Sequence, residues 1–96
     1  MSASVAFETP VEEWFNGEYG EIPERMREGL RRYLVDRVQP GDFLTAVICN
    51  DLRNAVGRAD AENLPLMPLY VRWFYNVAPS QSHGSLSRMN TWLERS

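Results

Sequence analysis

Apolar residues cover two sides of one segment of the chain, Leu64 to Ala78. Wound as a helix, it places Leu64, Met67, Val71, Phe74, Tyr75 and Ala78 on one face and Leu66, Leu69, Tyr70, Trp73 and Val77 on the opposite face. A helix of a small domain normally buries a single apolar stripe. We therefore predict a central helix at about residues 61–78 whose second face is covered by the rest of the chain or by a second copy. Pro65 and Pro68 predict a kink or a delayed start.

The segments around this helix show the same helical periodicity. One predicted helix has an apolar side formed by Ile22, Met26, Leu30, Tyr33, Leu34 and Val38, and a third runs from Asp42 to Gly57 with Phe43, Leu44, Val47, Ile48, Leu52, Ala55 and Val56 as its stripe. A short helix is predicted after Thr9, and Ser85 is expected to cap a last one with Leu86, Met89, Trp92 and Leu93 inward. No segment shows the convincing alternation of apolar and polar residues with period two that indicates a β-strand. The prediction is an all-α bundle of four to five short helices.

Length and composition favour one domain over residues 1–96, with residues 1–21 as an acidic N-terminal arm. The chain has 96 residues, a net charge of −3, one cysteine and one histidine. No apolar run is long enough for a membrane span and no leader is evident, so we expect a cytoplasmic protein. Cys49 and His83 lie far apart in sequence, so they supply too few ligands for a metal site and do not indicate a nucleophile beside its base. We expect no enzyme, no metal and no cofactor.

The acidic arm supplies the first candidate binding surface. Its aromatic residues are surrounded by carboxylates: Glu12, Glu13, Trp14, Phe15, Glu18 and Tyr19. Aromatic anchors inside an acidic ring are typical of docking onto a basic groove of another protein. Because the core stripes all lie beyond it, the arm is expected to be dispensable for folding. The alternative is a short helix that packs onto the domain.

A second candidate surface is the polar face of the third helix. It carries Asn50, Arg53, Asn54 and Arg58, a set that could hold a small anionic nucleotide at a subunit interface through charge-assisted hydrogen bonds. The alternative is a solvated face with salt bridges to neighbouring aspartates. Duplex nucleic acid is an unlikely partner, because an acidic protein has little counterion release to exploit.

The two-faced central helix also predicts a homo-oligomer. The expected interface consists of Leu66, Tyr70, Trp73 and Val77, because the short first and last helices leave this face hard to cover. The alternative is that the N-terminal segment caps this face and the protein is a monomer. A structural oligomer with no other ligand is the third functional reading.

The stretch from Ile22 to Ser85 resembles a family of small, mostly uncharacterised proteins encoded by phages, prophages and plasmids of proteobacteria. The residues that carry the resemblance are IPERMREGLRRY, PGDFLTAVICNDLRNAVGRADAEN and RWFYNVAPSQSHGS. The resemblance implies a compact accessory protein of a mobile element, with no catalytic or binding residues to carry over. Together with the candidate surfaces it predicts stoichiometric binding that inhibits a host or anti-phage defence protein.

Overall fold

The computed structural model describes residues 13–94 of the chain. Within this range five α-helices are joined by short connections, and none of these residues forms a β-strand. The helices are α1 (Glu24–Arg31), α2 (Asp42–Ile48), α3 (Leu52–Arg58), α4 (Met67–Asn76) and α5 (Leu86–Glu94), with short 3₁₀ turns at Gly17–Tyr19, Leu64–Leu66 and Ser80–Ser82. The all-α prediction is confirmed. No helix in residues 13–94 is long and apolar enough to cross a membrane.

Helix α1 continues directly into a π-helical turn, Arg32–Asp36. Leu30, Tyr33 and Leu34 are buried along the predicted apolar side of this segment. The segment ends at Arg37, whose backbone is left-handed with φ of 60°, and this residue turns the chain away from the core. Val38 is therefore half exposed instead of buried, so the predicted stripe is one residue too long.

The predicted third helix is wrong in one respect, because it is two helices with a break at Cys49, Asn50 and Asp51. Asn50 has a left-handed backbone with φ of 61°, a conformation that asparagine tolerates better than most residues. The Asp51 carboxylate then accepts the Asn54 amide at 3.3 Å and caps α3. The break changes which side of α3 faces the core. Leu52 and Val56, predicted to be buried, are 69% and 46% exposed.

The central helix starts late, as the prolines predict. The 3₁₀ turn Leu64–Leu66 contains Pro65. Pro68 is the second residue of α4, a position whose backbone amide has no hydrogen-bond partner within the helix, so a proline is tolerated there. The helix is accordingly shorter than the predicted range of about 61–78. Tyr70, Trp73 and Phe74 face the core, and Tyr70 and Trp73 have no exposed surface.

Helix α5 closes the bundle. The Ser85 hydroxyl accepts the Arg88 amide at 3.1 Å, which confirms the predicted cap. Met89 and Trp92 are buried as predicted, whereas Leu86 is 58% exposed and does not point inward. The Trp92 indole donates to the Tyr33 carbonyl at 3.0 Å, so α5 is attached to the π-helical turn.

One apolar cluster contains side chains from every helix except α3 and also from the segment that precedes α1. Its members are Trp14, Phe15, Ile22, Leu30, Tyr33, Leu34, Phe43, Leu44, Ile48, Tyr70, Trp73, Phe74, Ala78, Met89 and Trp92. Residues of the predicted N-terminal arm therefore belong to the core of the domain.

Candidate functional site

The aromatic residues of the N-terminal arm are not available to a partner. Trp14 is 3% and Phe15 9% exposed, and both pack against Trp73. The Phe15 ring stacks on the Trp73 indole with 5.3 Å between ring centroids, and the Trp73 indole donates to the Trp14 carbonyl at 2.9 Å. The docking prediction is wrong for these two residues, because they form the apolar cover of Trp73 in the middle of α4.

The other residues of that predicted surface no longer form a site. Glu12 lies outside the described residues. Glu13 is exposed, Tyr19 is half-buried against the core, and Glu18 pairs with Arg72 at 2.6 Å. What remains after the burial of the aromatics is an exposed carboxylate and one surface ion pair, which is ordinary protein surface.

The same packing corrects the predicted oligomer interface. Tyr70 and Trp73 have no exposed surface, and Leu66 and Val77 are only partly exposed. The Tyr70 hydroxyl donates to the buried Asn63 side chain at 2.7 Å, and the Phe43 ring contacts the Tyr70 ring edge-on. A second copy has no access to these rings. The N-terminal segment covers Trp73, as the alternative prediction proposed, and α2 together with Asn63 covers Tyr70.

The polar residues predicted to bind an anionic nucleotide are divided between different surroundings. A recess of about 250 Å³ includes Asn54 and Arg58 in its lining, whereas Asn50 lies beside a different, smaller recess. The larger recess also contains Asp42, which accepts from Arg58 at 3.1 Å, and Asp51, which accepts from Asn54 at 2.7 Å. The lining thus holds two carboxylates and one guanidinium.

This charge works against an anionic ligand. Asn54 also lowers the pKa of Asp51 by donating hydrogen bonds to its carboxylate, with a smaller effect from Arg53, so Asp51 is ionised at neutral pH. A phosphate that entered the recess would meet two negative groups and an arginine that is already paired. The two predicted ligand-binding residues in this lining have other roles, because Asn54 bonds to the capping Asp51 and Arg58 forms a salt bridge with Asp42.

Cys49 and His83 lie in separate surroundings. The Cys49 thiol contacts the Met89 sulfur at 3.8 Å, and burial together with Asp51 raises the pKa of the thiol. The His83 ring packs against Phe74 at 5.3 Å, and its Nε2 atom is buried without a hydrogen-bond partner. Burial and Arg88 lower the pKa of His83. A protonated thiol beside a thioether is a poor nucleophile.

Within residues 13–94 no group of three or more His, Cys, Asp or Glu side chains could hold a metal ion.

An exposed apolar surface lies across α3 and α4, and we call it the α3–α4 face. Leu52 and Val56 contribute from α3, and Val71 and Tyr75 from α4. They are 69%, 46%, 54% and 82% exposed, respectively. A shallow recess of about 40 Å³ is lined from α3 by Leu52 and Ala55 and from α4 by Met67 and Val71. Its remaining lining comes from α2 and from the break that precedes α3: Ala46, Val47, Asn50 and Asp51. Leu52 and Val71 meet at this recess, and Val56 and Tyr75 lie about one helical turn further along the same two helices.

Sequence reasoning missed this face for a specific reason. Val71 and Tyr75 belong to one of the two apolar faces of the central segment, and the pattern alone treats both faces alike. Leu52 and Val56 were assigned to the core because the periodicity of the third helix was continued through Asn50. The signal that could have separated them is the Cys-Asn-Asp sequence, since Asn followed by a capping Asp favours a helix break.

Comparison of the chain with protein-family models, with curated proteins and with solved structures gives no match.

Proposed function

We propose that this chain is a phage-type accessory protein that works by stoichiometric binding to a host or anti-phage defence protein, in the cytoplasm of the host cell. The observation that carries the proposal is the α3–α4 face. Its four side chains expose about 350 Å² of apolar surface, taking about 200 Å² for a fully exposed tyrosine and about 100–130 Å² for a fully exposed valine or leucine. Apolar patches of this size are the largest that soluble monomers usually carry, and they are often functional.

The composition of the α3–α4 face supports a protein as the ligand. Tyr75 is 82% exposed, and tyrosine is one of the residues enriched where protein interfaces gain most of their energy. The recess of about 40 Å³ beside Val71 is too shallow to enclose a small molecule. A broad apolar surface with one protruding aromatic ring is typical of a contact with another polypeptide.

The chemistry of the described residues supports binding in preference to catalysis. The thiol of Cys49 contacts Met89 and has a raised pKa, and His83 packs against Phe74 instead of facing that thiol. General-base activation of a cysteine requires the thiol and the base to lie within hydrogen-bond reach of each other.

The mobile-element part of the proposal rests on the resemblance of residues 22–85 to phage and plasmid proteins.

The test is capture of a target from a host lysate with three immobilised proteins. The wild-type chain is compared with Val71→Asp and with Val35→Asp, a matched control because Val35 is 50% exposed in the π-helical turn, outside the α3–α4 face. We expect the wild type and the control to retain one host protein in equimolar amount, and Val71→Asp to lose it. Equal retention by Val71→Asp, or no stoichiometric protein at all, would contradict the proposal. A nucleotide released from the wild type would favour the alternative of a nucleotide sponge.

A further inference from the structure

The domain covers one apolar face of the central helix and only part of the other, on which Phe74 and Ala78 are buried. Trp14 and Phe15 cover the side of Trp73, whereas Val71 and Tyr75 on the other side stay exposed. We propose that in the free protein the α3–α4 face binds a second copy of this chain, with the two α4 helices antiparallel and a two-fold axis at Val71. This inference rests on the proposed function in that it takes the same face as a protein-binding surface and names its occupant in the absence of a target.

The spacing along α4 makes this surface complementary to itself. Around a two-fold axis at Val71, the residue four positions after it faces the residue four positions before it on the other copy. Tyr75 of each copy therefore lies over Met67 of the second copy, about 6 Å from the axis at 1.5 Å per residue. Met67 lines the recess that the face contains. The protruding ring of one copy meets the depression of the other twice, once on each side of the axis.

The charges beside the α3–α4 face allow two copies to approach. Each basic side chain near it is matched within the chain, since Arg72 pairs with Glu18, Arg58 pairs with Asp42, and Arg53 lies close enough to Asp51 to lower the pKa of its carboxyl. A two-fold contact brings identical groups together, so a surface with a net charge repels its own copy. The balanced charges of this surface remove that repulsion and also give no attraction to a strongly charged partner such as nucleic acid.

The area of the α3–α4 face is sufficient for a weak dimer. With about 350 Å² of apolar side chain from each copy and the atoms at the rim, a pairing buries up to about 1,000 Å² in total, the lower end of specific interfaces. We therefore expect a dimer that forms at micromolar concentration and dissociates on dilution. Because it uses the face proposed for the target, a second copy and a target exclude one another.

The experiment is light scattering on the full chain over a range of micromolar concentrations. The monomer mass is 11.1 kDa, and we expect the measured mass to approach twice that value as the concentration rises. Val71→Asp and Val71→Lys each place two like charges at the axis and are expected to give monomers, whereas an equimolar mixture of the two restores the doubled mass. Val35→Asp is expected to dimerise like the wild type, and circular dichroism checks that every variant keeps its helix content.

A wild-type monomer at all concentrations would overturn the inference. A dimer that survives Val71→Asp would place the interface elsewhere, and a mixture of the two Val71 variants that stays monomeric would contradict the axis at this residue. None of these results bears on capture from the lysate, where loss of a host protein with Val71→Asp supports the proposed function even if the free protein is a monomer.

Discussion

Replacing Phe15 with alanine removes the ring that stacks on Trp73. The two rings are nearly parallel, with an interplanar angle of 2°, and the Arg27 guanidinium lies over the Phe15 ring, 5.3 Å from its centroid. Phe15 therefore holds the N-terminal segment on the bundle through contacts with a buried indole and with a cation. The structure predicts a large loss of stability for a residue that sequence reasoning assigned to a dispensable arm.

The magnitude follows from three contributions. Burial of a phenylalanine side chain contributes about 2–3 kcal/mol, the stacked aromatic pair about 1 kcal/mol, and the partly exposed cation about 0.5 kcal/mol. The sum of about 4 kcal/mol falls within the usual cost of about 3–5 kcal/mol for Phe→Ala in a core. At about 4–8 °C per kcal/mol for a domain of this size, the midpoint of thermal unfolding should fall by at least about 15 °C.

The assay is urea unfolding followed by far-ultraviolet circular dichroism. Phe15→Leu keeps most of the apolar volume and should cost about 1–1.5 kcal/mol, and Glu13→Ala at an exposed neighbouring position should stay within about 0.5 kcal/mol of the wild type. Deletion of residues 1–21 removes both Trp14 and Phe15, about 6–10 kcal/mol by the same scale, and should abolish cooperative unfolding. A Phe15→Ala variant that loses less than about 1 kcal/mol would refute the packing described for Trp73.

Three further predictions concern single side chains. His83 is the single histidine of the chain, and because its pKa is lowered in the folded state, the unfolded chain takes up the proton first. Stability should therefore be constant between about pH 7 and pH 8, below the range in which Cys49 and the buried tyrosines titrate, and should fall as the pH drops below 6.5. His83→Gln should remove this fall in urea melts at successive pH values. Asn50→Gly should leave stability unchanged or raise it slightly, whereas Asn50→Ala should cost about 1–2 kcal/mol because φ is 61°; equal melting temperatures of the two variants would contradict the left-handed break. Tyr70→Phe should cost about 1–3 kcal/mol, because it leaves the Asn63 side-chain oxygen buried without its 2.7 Å donor, and a neutral result in thermal melts would contradict that hydrogen bond.

The elements that local sequence determines were predictable. Leu30, Tyr33 and Leu34 lie on the buried side that the periodicity indicates, Pro65 and Pro68 delay α4, and the Ser85 hydroxyl caps α5. In each case the preference acts within one or two turns of helix. No distant residue is needed to decide it.

The candidate surface was not predictable from the same signals. Which face of α4 becomes the core is decided by Trp14 and Phe15, which lie almost sixty residues earlier in the chain, and amphipathic spacing does not choose between two apolar faces. The exposure of Leu52 depends on a single left-handed residue, Asn50, whose local backbone preference overrides a periodicity that continues on both sides of it. Apolar side chains of the central helix do remain exposed, but they are Val71 and Tyr75 and not the predicted interface residues Tyr70 and Trp73.

The measurement that tests the α3–α4 face most directly is photo-crosslinking inside the host cell from a benzoylphenylalanine placed at Tyr75. Because Tyr75 is 82% exposed, the replacement should leave the fold intact, and the same group placed at Val35 is the matched control. We predict covalent adducts from position 75, either with a second copy or with one host protein, and little or none from position 35. No adduct from position 75, or equal adducts from the two positions, would contradict the claim that this face is a protein-binding surface.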